Sequence, residues 1–96
     1  MADTALASTA VAVLDELFPD KTHGFDAGRR YHRIWKESYG QKLVAFFIEP
    51  ETGHILKAAG WKAPASGVRY SVASPAELEE LLRARADAFG DWLYIR

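Results

Sequence analysis

Three histidines (His23, His32 and His54) and three acid pairs (Asp15 with Glu16, Glu49 with Glu51, Glu79 with Glu80) are the side chains of this 96-residue chain best suited to metal or acid–base chemistry. No histidine stands four residues from another or within an HExxH-type pattern. Zinc would therefore need a distributed three-histidine site, and the plainer expectation is turn and exposed-strand histidines with no metal and no cofactor. Carboxylates can serve as general acids and bases, but each pair occupies a position that accounts for it otherwise. Asp15 and Glu16 fall on the polar side of a helical pattern, and Glu49 and Glu51 flank Pro50 at a turn. Glu79 and Glu80 sit in the first turns of a helix, where negative charge matches the dipole. Cysteine is absent, which removes disulfides, thiolate nucleophiles and cysteine-ligated zinc. There is no GxSxG elbow and no phosphate-cradling glycine loop. The residues point to binding rather than catalysis, and no enzyme is expected.

The binding candidates lie in the middle of the chain. Net charge is −1, but its sign alternates by segment. Residues 1–20 carry −4, residues 21–42 carry +4, residues 43–56 carry −2, residues 57–69 carry +3, and residues 70–96 carry −2. Acidic terminal elements around a basic middle imply one positive face, which matters more to an anionic ligand than total charge does. Within the second basic segment, the stretch from Lys57 to Tyr70 reads as a shaped surface loop. Gly60, Pro64 and Gly67 punctuate it, Trp61 supplies a large ring, and Lys57, Lys62 and Arg69 supply charge without an acid.

The elements that must position these residues can be read from periodicity and punctuation. Composition is 49% hydrophobic and 26% charged, as expected for a single domain over 1–96. No run reaches the ~20 apolar residues of a membrane span, and the N-terminal segment lacks the basic start of a signal peptide. Leu6, Ala10, Val13, Leu14, Leu17 and Phe18 recur at helical spacing, which predicts an amphipathic helix over 4–18 that exits at Pro19 and Gly24. Residues 29–39 and 43–48 then read as a hairpin closed at Gly40 and Gln41, and a turn at 50–53 leads into a third strand over 54–58. Ser74, Pro75 and Glu77 predict the capped start of a second helix, continued by Leu78, Leu81, Leu82, Arg85 and Phe89. Gly90 would cap its end, and Trp92–Ile95 would form a short terminal strand. The expected fold is α+β, a small antiparallel sheet of three to four strands packed against two helices in the order α-β-β-β-α-β.

Alternation along the first strand puts Tyr31, Arg33, Trp35 and Tyr39 on one side and Arg30, His32, Ile34, Lys36 and Ser38 on the other. If the aromatic side is core, as its bulk favours, Arg30, His32 and Lys36 project to solvent as a sequence-independent phosphate site. If it is exposed, Tyr31 and Trp35 beside Arg33 make a stacking platform for single-stranded bases. In either arrangement Arg30, Arg33, Lys36, Trp61, Lys62 and Arg69 are the candidate anion- or nucleic-acid-binding residues. The bland alternative has Trp61 closing the open end of the core and the cations simply solvated.

VAFFIEPETGHILKAAGWKAPASGVRYSV followed by a terminal AFGDWLYIR resembles a family of small uncharacterised phage and prophage proteins from actinobacterial and related hosts, over roughly residues 30–96. Members of that kind usually place a basic residue where this chain has Ser66. The resemblance implies a phage setting, hence the cytoplasm of an infected bacterial host, and carries no reaction. The expected function is thus a small non-enzymatic binding protein that recognises an anionic ligand such as nucleic acid, single-stranded or duplex, with no membrane partner. The alternative is a protein–protein module that binds a host protein or forms a homodimer, with Trp61 and Trp92 as interface anchors. Capture of a small nucleotide by a dimer would use the same arginines and rings.

Overall fold

Small and apolar residues on one stripe of the first helix decide which way it faces. In the computed structural model, which describes residues 3–86 and Leu93, α1 spans Ala5–Leu17 and buries Ala7, Ala10, Val13 and Leu14. Asp3 steadies its start, its Oδ1 accepting from the Ala5 N–H at 2.9 Å. Five strands follow in sequence: β1 (Thr22–Ala27), β2 (His32–Ser38), β3 (Gln41–Glu49), β4 (His54–Ala58) and β5 (Pro64–Ser71). They form one antiparallel meander in the spatial order β1-β2-β3-β4-β5. The chain then enters α2 (Pro75–Arg85). The Ser74 Oγ accepts from the Glu77 N–H at 3.3 Å, and the Glu77 carboxylate accepts from the Ala73 N–H at 3.2 Å. The predicted capped start is thus realised, with Pro75 in the first turn where its missing N–H costs nothing.

Both helices lie on one face of the sheet. Their buried residues, with Leu78 and Leu82 from α2, join Ile34, Phe46, Ile48, Ile55 and Val72 in a single core cluster that also takes in Leu93. Arg83 links the helices by donating to Glu16 at 2.9 Å as well as to Glu79 one turn back at 2.9 Å. None of the described helices is long and apolar enough to cross a membrane.

The α+β class holds, but the strand count and order do not: the described residues run α-β-β-β-β-β-α, with two strands beyond the three read from the middle of the chain. β1 carries Gly24 in its centre, which reads as punctuation in sequence. In the sheet Gly24 pairs with Trp35, and a Cβ on it would collide with the indole, 2.8 Å from Cε2 and closer still to Cζ2. The glycine is there to let a ring lie flat across the strand. β5 reads as loop in sequence because of Pro64 and Gly67. Pro64 is the first residue of an edge strand, and Gly67, at φ 96°, sits where the β4–β5 register shifts, so both are in the places an edge strand tolerates them. The β2–β3 connection is the two-residue turn Tyr39–Gly40, both at positive φ, a geometry that matches the twist of a hairpin. The expected terminal strand over 92–95, with Phe89 and Gly90 before it, lies outside the described residues apart from Leu93.

The face of β2 is also corrected. His32 and Ile34 point into the helix-covered core at 0% exposure, and the aromatic side points the other way. Bulk does not decide the matter, because the apolar residues of β3 and β4 that meet the helices, Phe46, Ile48 and Ile55, are in register with His32 and Ile34. The placement is costly for His32: its ring rests 6.2 Å from that of Phe25, and neither ring nitrogen has a hydrogen-bond partner among the described residues. Burial lowers its pKa from the ordinary 6.5, against a weaker opposing pull from Asp3. An unfolded chain takes up that proton first, so this residue's contribution to stability is full above about pH 6.5 and is lost as pH falls toward the folded-state value. His32→Leu should therefore gain about 1 kcal/mol at pH 7 by removing unpaired buried nitrogens. It should also flatten the decline in stability below about pH 6.5, measured as urea midpoints from pH 7.5 down to pH 5. Parallel declines in both proteins would count against a neutral buried imidazole.

Candidate binding face

Among the described residues no helix covers the sheet face turned away from α1 and α2, yet that face is not bare. Register places Asp26, Arg33, Phe47, Leu56 and Val68 in one row across all five strands. Phe47 and Leu56 are buried there, 2% and 7% exposed, although neither belongs to the main core cluster. Their cover is local. Tyr31 meets Phe47 edge-on at 6.3 Å, and the β4–β5 loop folds back so that the Trp61 ring lies over the Arg33 guanidinium at 4.5 Å. The Arg33 Nε–H donates to the Trp61 carbonyl at 2.6 Å and its other end pairs with Asp26 at 2.8 Å. Arg33 is thereby the post to which the loop is tied.

Two more rings on this face carry cations. Arg30 lies over Tyr31 at 5.1 Å and Lys42 over Trp35 at 4.2 Å. Arg30 also donates to Glu49 at 2.8 Å; that bond, with a second from Thr52, holds the Glu49 carboxyl below its usual range. Around the Gly28–Tyr31 hairpin, Arg29, Arg30, Arg33 and Lys62 surround a cavity of about 310 Å³ floored by Tyr31 and Phe47. Asp26 is the only acid among the described residues around it.

Of the predicted site residues, Arg30, Arg33 and Lys62 meet at this cavity, and Trp61 forms its neighbouring wall through Arg33. Lys36 does not join them: it lines a second cavity with Trp61, beside β3. Arg69 lines neither cavity, and its Nε is buried without a hydrogen-bond partner among the described residues, at the irregular β4–β5 register. Arg29, Lys42 and Phe47 are site residues that the sequence does not single out, whereas Tyr31 enters there as part of the stacking-platform alternative. Arg29 is legible as a further cation of a GRRYHR run; Phe47 is not, because VAFFIE gives no sign of which of its two phenylalanines faces the helices.

His23 and His54 are accounted for by contacts elsewhere. His23 Nδ1 lies 2.7 Å from Asp15, whose Oδ1 also accepts the His23 N–H at 3.1 Å, tying β1 to α1. His54 is 3.4 Å from Glu49. Among the described residues no cluster of three histidines or acids is placed to hold a metal ion.

A family model described as a family of unknown function, DUF7717, matches residues 6–95. The chain belongs to that family. DUF7717 thus spans both helices and every strand of the meander, the β4–β5 loop included. No curated protein and no solved structure matches the chain.

Proposed function

We propose that this DUF7717 protein is a non-enzymatic binding protein whose sheet face turned away from α1 and α2 takes single-stranded nucleic acid. The observation that carries the reading is the trio of cation–ring pairs on that one face, Arg30 with Tyr31, Arg33 with Trp61, and Lys42 with Trp35. Rings stack on bases of any sequence at about 1–3 kcal/mol each, while guanidinium and ammonium groups follow the phosphates. Trp61 is 39% exposed with one face on Arg33, so a base can use the other. Arg29 and Lys62 make no ion pair among the described residues and stand at the rim, where a backbone would pass. The phage-like motif gives the setting: a small protein acting on nucleic acid in the cytoplasm of an infected bacterial host.

The test is fluorescence anisotropy of labelled single-stranded DNA, RNA and duplex DNA at about 50 and 200 mM salt, the range in which phosphate contacts declare themselves. Single strands should bind more tightly than duplex, and affinity should fall steeply with salt. Reversing charge at the rim with Arg29→Glu and Lys62→Glu should weaken binding about tenfold or more at the lower salt and reduce the salt slope by roughly one for each phosphate no longer neutralised. Trp61→Ala should cost about 1–3 kcal/mol while leaving that slope unchanged. Absence of binding at the lower salt removes the proposal.

A further inference from the structure

The three cation–ring pairs are strung along β2. Tyr31, with Arg30 over it, stands just before the strand; Arg33 follows two residues later under Trp61, and Trp35 two later again under Lys42. Alternate residues share a face, and from Tyr31 to Trp35 is about 13 Å at the rise of an extended strand. One end of this line is closed by the β1–β2 hairpin. Pairing stops at Ala27 opposite His32, and beyond it the Gly28 N–H donates to the Tyr31 carbonyl at 3.1 Å. The turn is tight, since a Cβ on Gly28 would come within 2.7 Å of that carbonyl oxygen. Its two central residues are Arg29 and Arg30, and both line the cavity of about 310 Å³.

The charge of that cavity fits the end of a strand better than its middle. Of its four cations, Arg30 is matched by Glu49 and Arg33 by Asp26, each at 2.8 Å. Arg29 and Lys62 make no ion pair among the described residues, so two positive charges remain. A phosphodiester inside a strand carries one negative charge and leaves one of them unmatched. A terminal phosphomonoester carries about −1.5 to −2 at pH 7 and offers three acceptor oxygens. Guanidinium forks suit such oxygens in pairs, and Arg30 gives only its Nε–H to Glu49. The volume lies at the small end of ligand sites, room for one nucleotide rather than a run. We infer that the cavity is an end site, which seats the terminal phosphomonoester of a strand in preference to the phosphodiesters along it. Arg29 and Lys62 balance the dianion, Arg30 adds hydrogen bonds, and the rings along β2 take the bases that follow. This end site presupposes the single-strand reading of the same face and gives the strand a direction, from the hairpin toward Trp35.

The probes are single-stranded oligonucleotides of one sequence with an internal fluorophore, carrying a 5′-phosphate, a 3′-phosphate or hydroxyls at both ends, titrated into the whole protein by anisotropy. One of the two phosphorylated strands should bind at least about tenfold more tightly than the hydroxyl-ended one. Arg29→Gln combined with Lys62→Gln, both at exposed positions, should remove that preference. The preference should also shrink from about pH 7.5 to pH 5.5, as the phosphomonoester takes up its second proton near pH 6. The matching nucleoside monophosphate, with one base to spread over the rings, should compete only at much higher concentration than the strand. Equal affinity of the three strands overturns the end site and leaves the single-strand reading in place, as does a preference that survives the double variant or does not change with pH. A free monophosphate as potent as the strand assigns the cavity to free nucleotides and overturns it too. If none of the strands binds, the single-strand reading fails and the end site falls with it.

Discussion

Gly53→Ala is expected to cost about 3 kcal/mol or more, a large part of the stability of a domain this size. Gly53 closes the β3–β4 hairpin at φ 75°, a region in which a Cβ costs about 1–2 kcal/mol even in open space. The space is not open. A Cβ here would overlap the Val72 carbonyl oxygen and approach its carbon to 3.0 Å, and both are backbone atoms that cannot swing aside. Backbone bonds hold the same joint together, since the Gly53 N–H donates to Glu49 at 2.8 Å and the Val72 N–H donates to Gly53 at 2.9 Å. Moving Val72 would also disturb the entry to α2, which begins three residues later. Gly40, equally at positive φ but with nothing near it, is the control: Gly40→Ala should cost only about 1–2 kcal/mol. Chemical denaturation of both variants decides it, and equal losses would mean that backbone conformation, not the Val72 carbonyl, governs the joint.

The contrast between these glycines shows where sequence reading stops. Periodicity places α1 within a residue at each end, and Ser74, Pro75 and Glu77 mark the start of α2, because helix signals are local. The strands Gln41–Glu49 and His54–Ala58 are legible for the same reason, as apolar runs between turn residues. What fails is everything decided between strands. Gly24, Pro64 and Gly67 read as breaks because their permission to sit in strands comes from a neighbour: the Trp35 ring, an edge, an irregular register. The orientation of β2 fails too, since a two-residue period says which side chains share a face but not which face meets the helices. Of the binding residues, the cations are visible as charge and Trp61 as an odd aromatic in a glycine- and proline-rich stretch. Their convergence on Phe47 depends on the cross-strand row and cannot be read along the chain.

Phe46 and Phe47 turn that row into a measurement, because adjacent residues of one strand serve opposite faces. Phe46 is 1% exposed within the helix-covered core, and Phe46→Ala should cost about 3–5 kcal/mol through the cavity it leaves. Phe47 is 2% exposed on the other face, under Tyr31, Arg33 and the Trp61 loop. Phe47→Ala should cost about 3 kcal/mol, at the low end of that range, because a cover of side chains and loop can settle into the space more readily than packed helices can. The two variants should part on binding. Losing Phe47 removes the floor under Tyr31 and the neighbour of Arg33 in the row, so oligonucleotide affinity should fall about tenfold or more as the pre-set spacing of rings and cations is lost. Losing Phe46 should leave affinity unchanged once the folded fraction is taken into account. Urea midpoints with matching slopes, followed by anisotropy well below each transition, separate the two effects. Equal losses of affinity in both variants would make the sheet face a passive reporter of global stability. A selective loss with Phe47 would tie recognition to the second, smaller core on the sheet face turned away from α1 and α2.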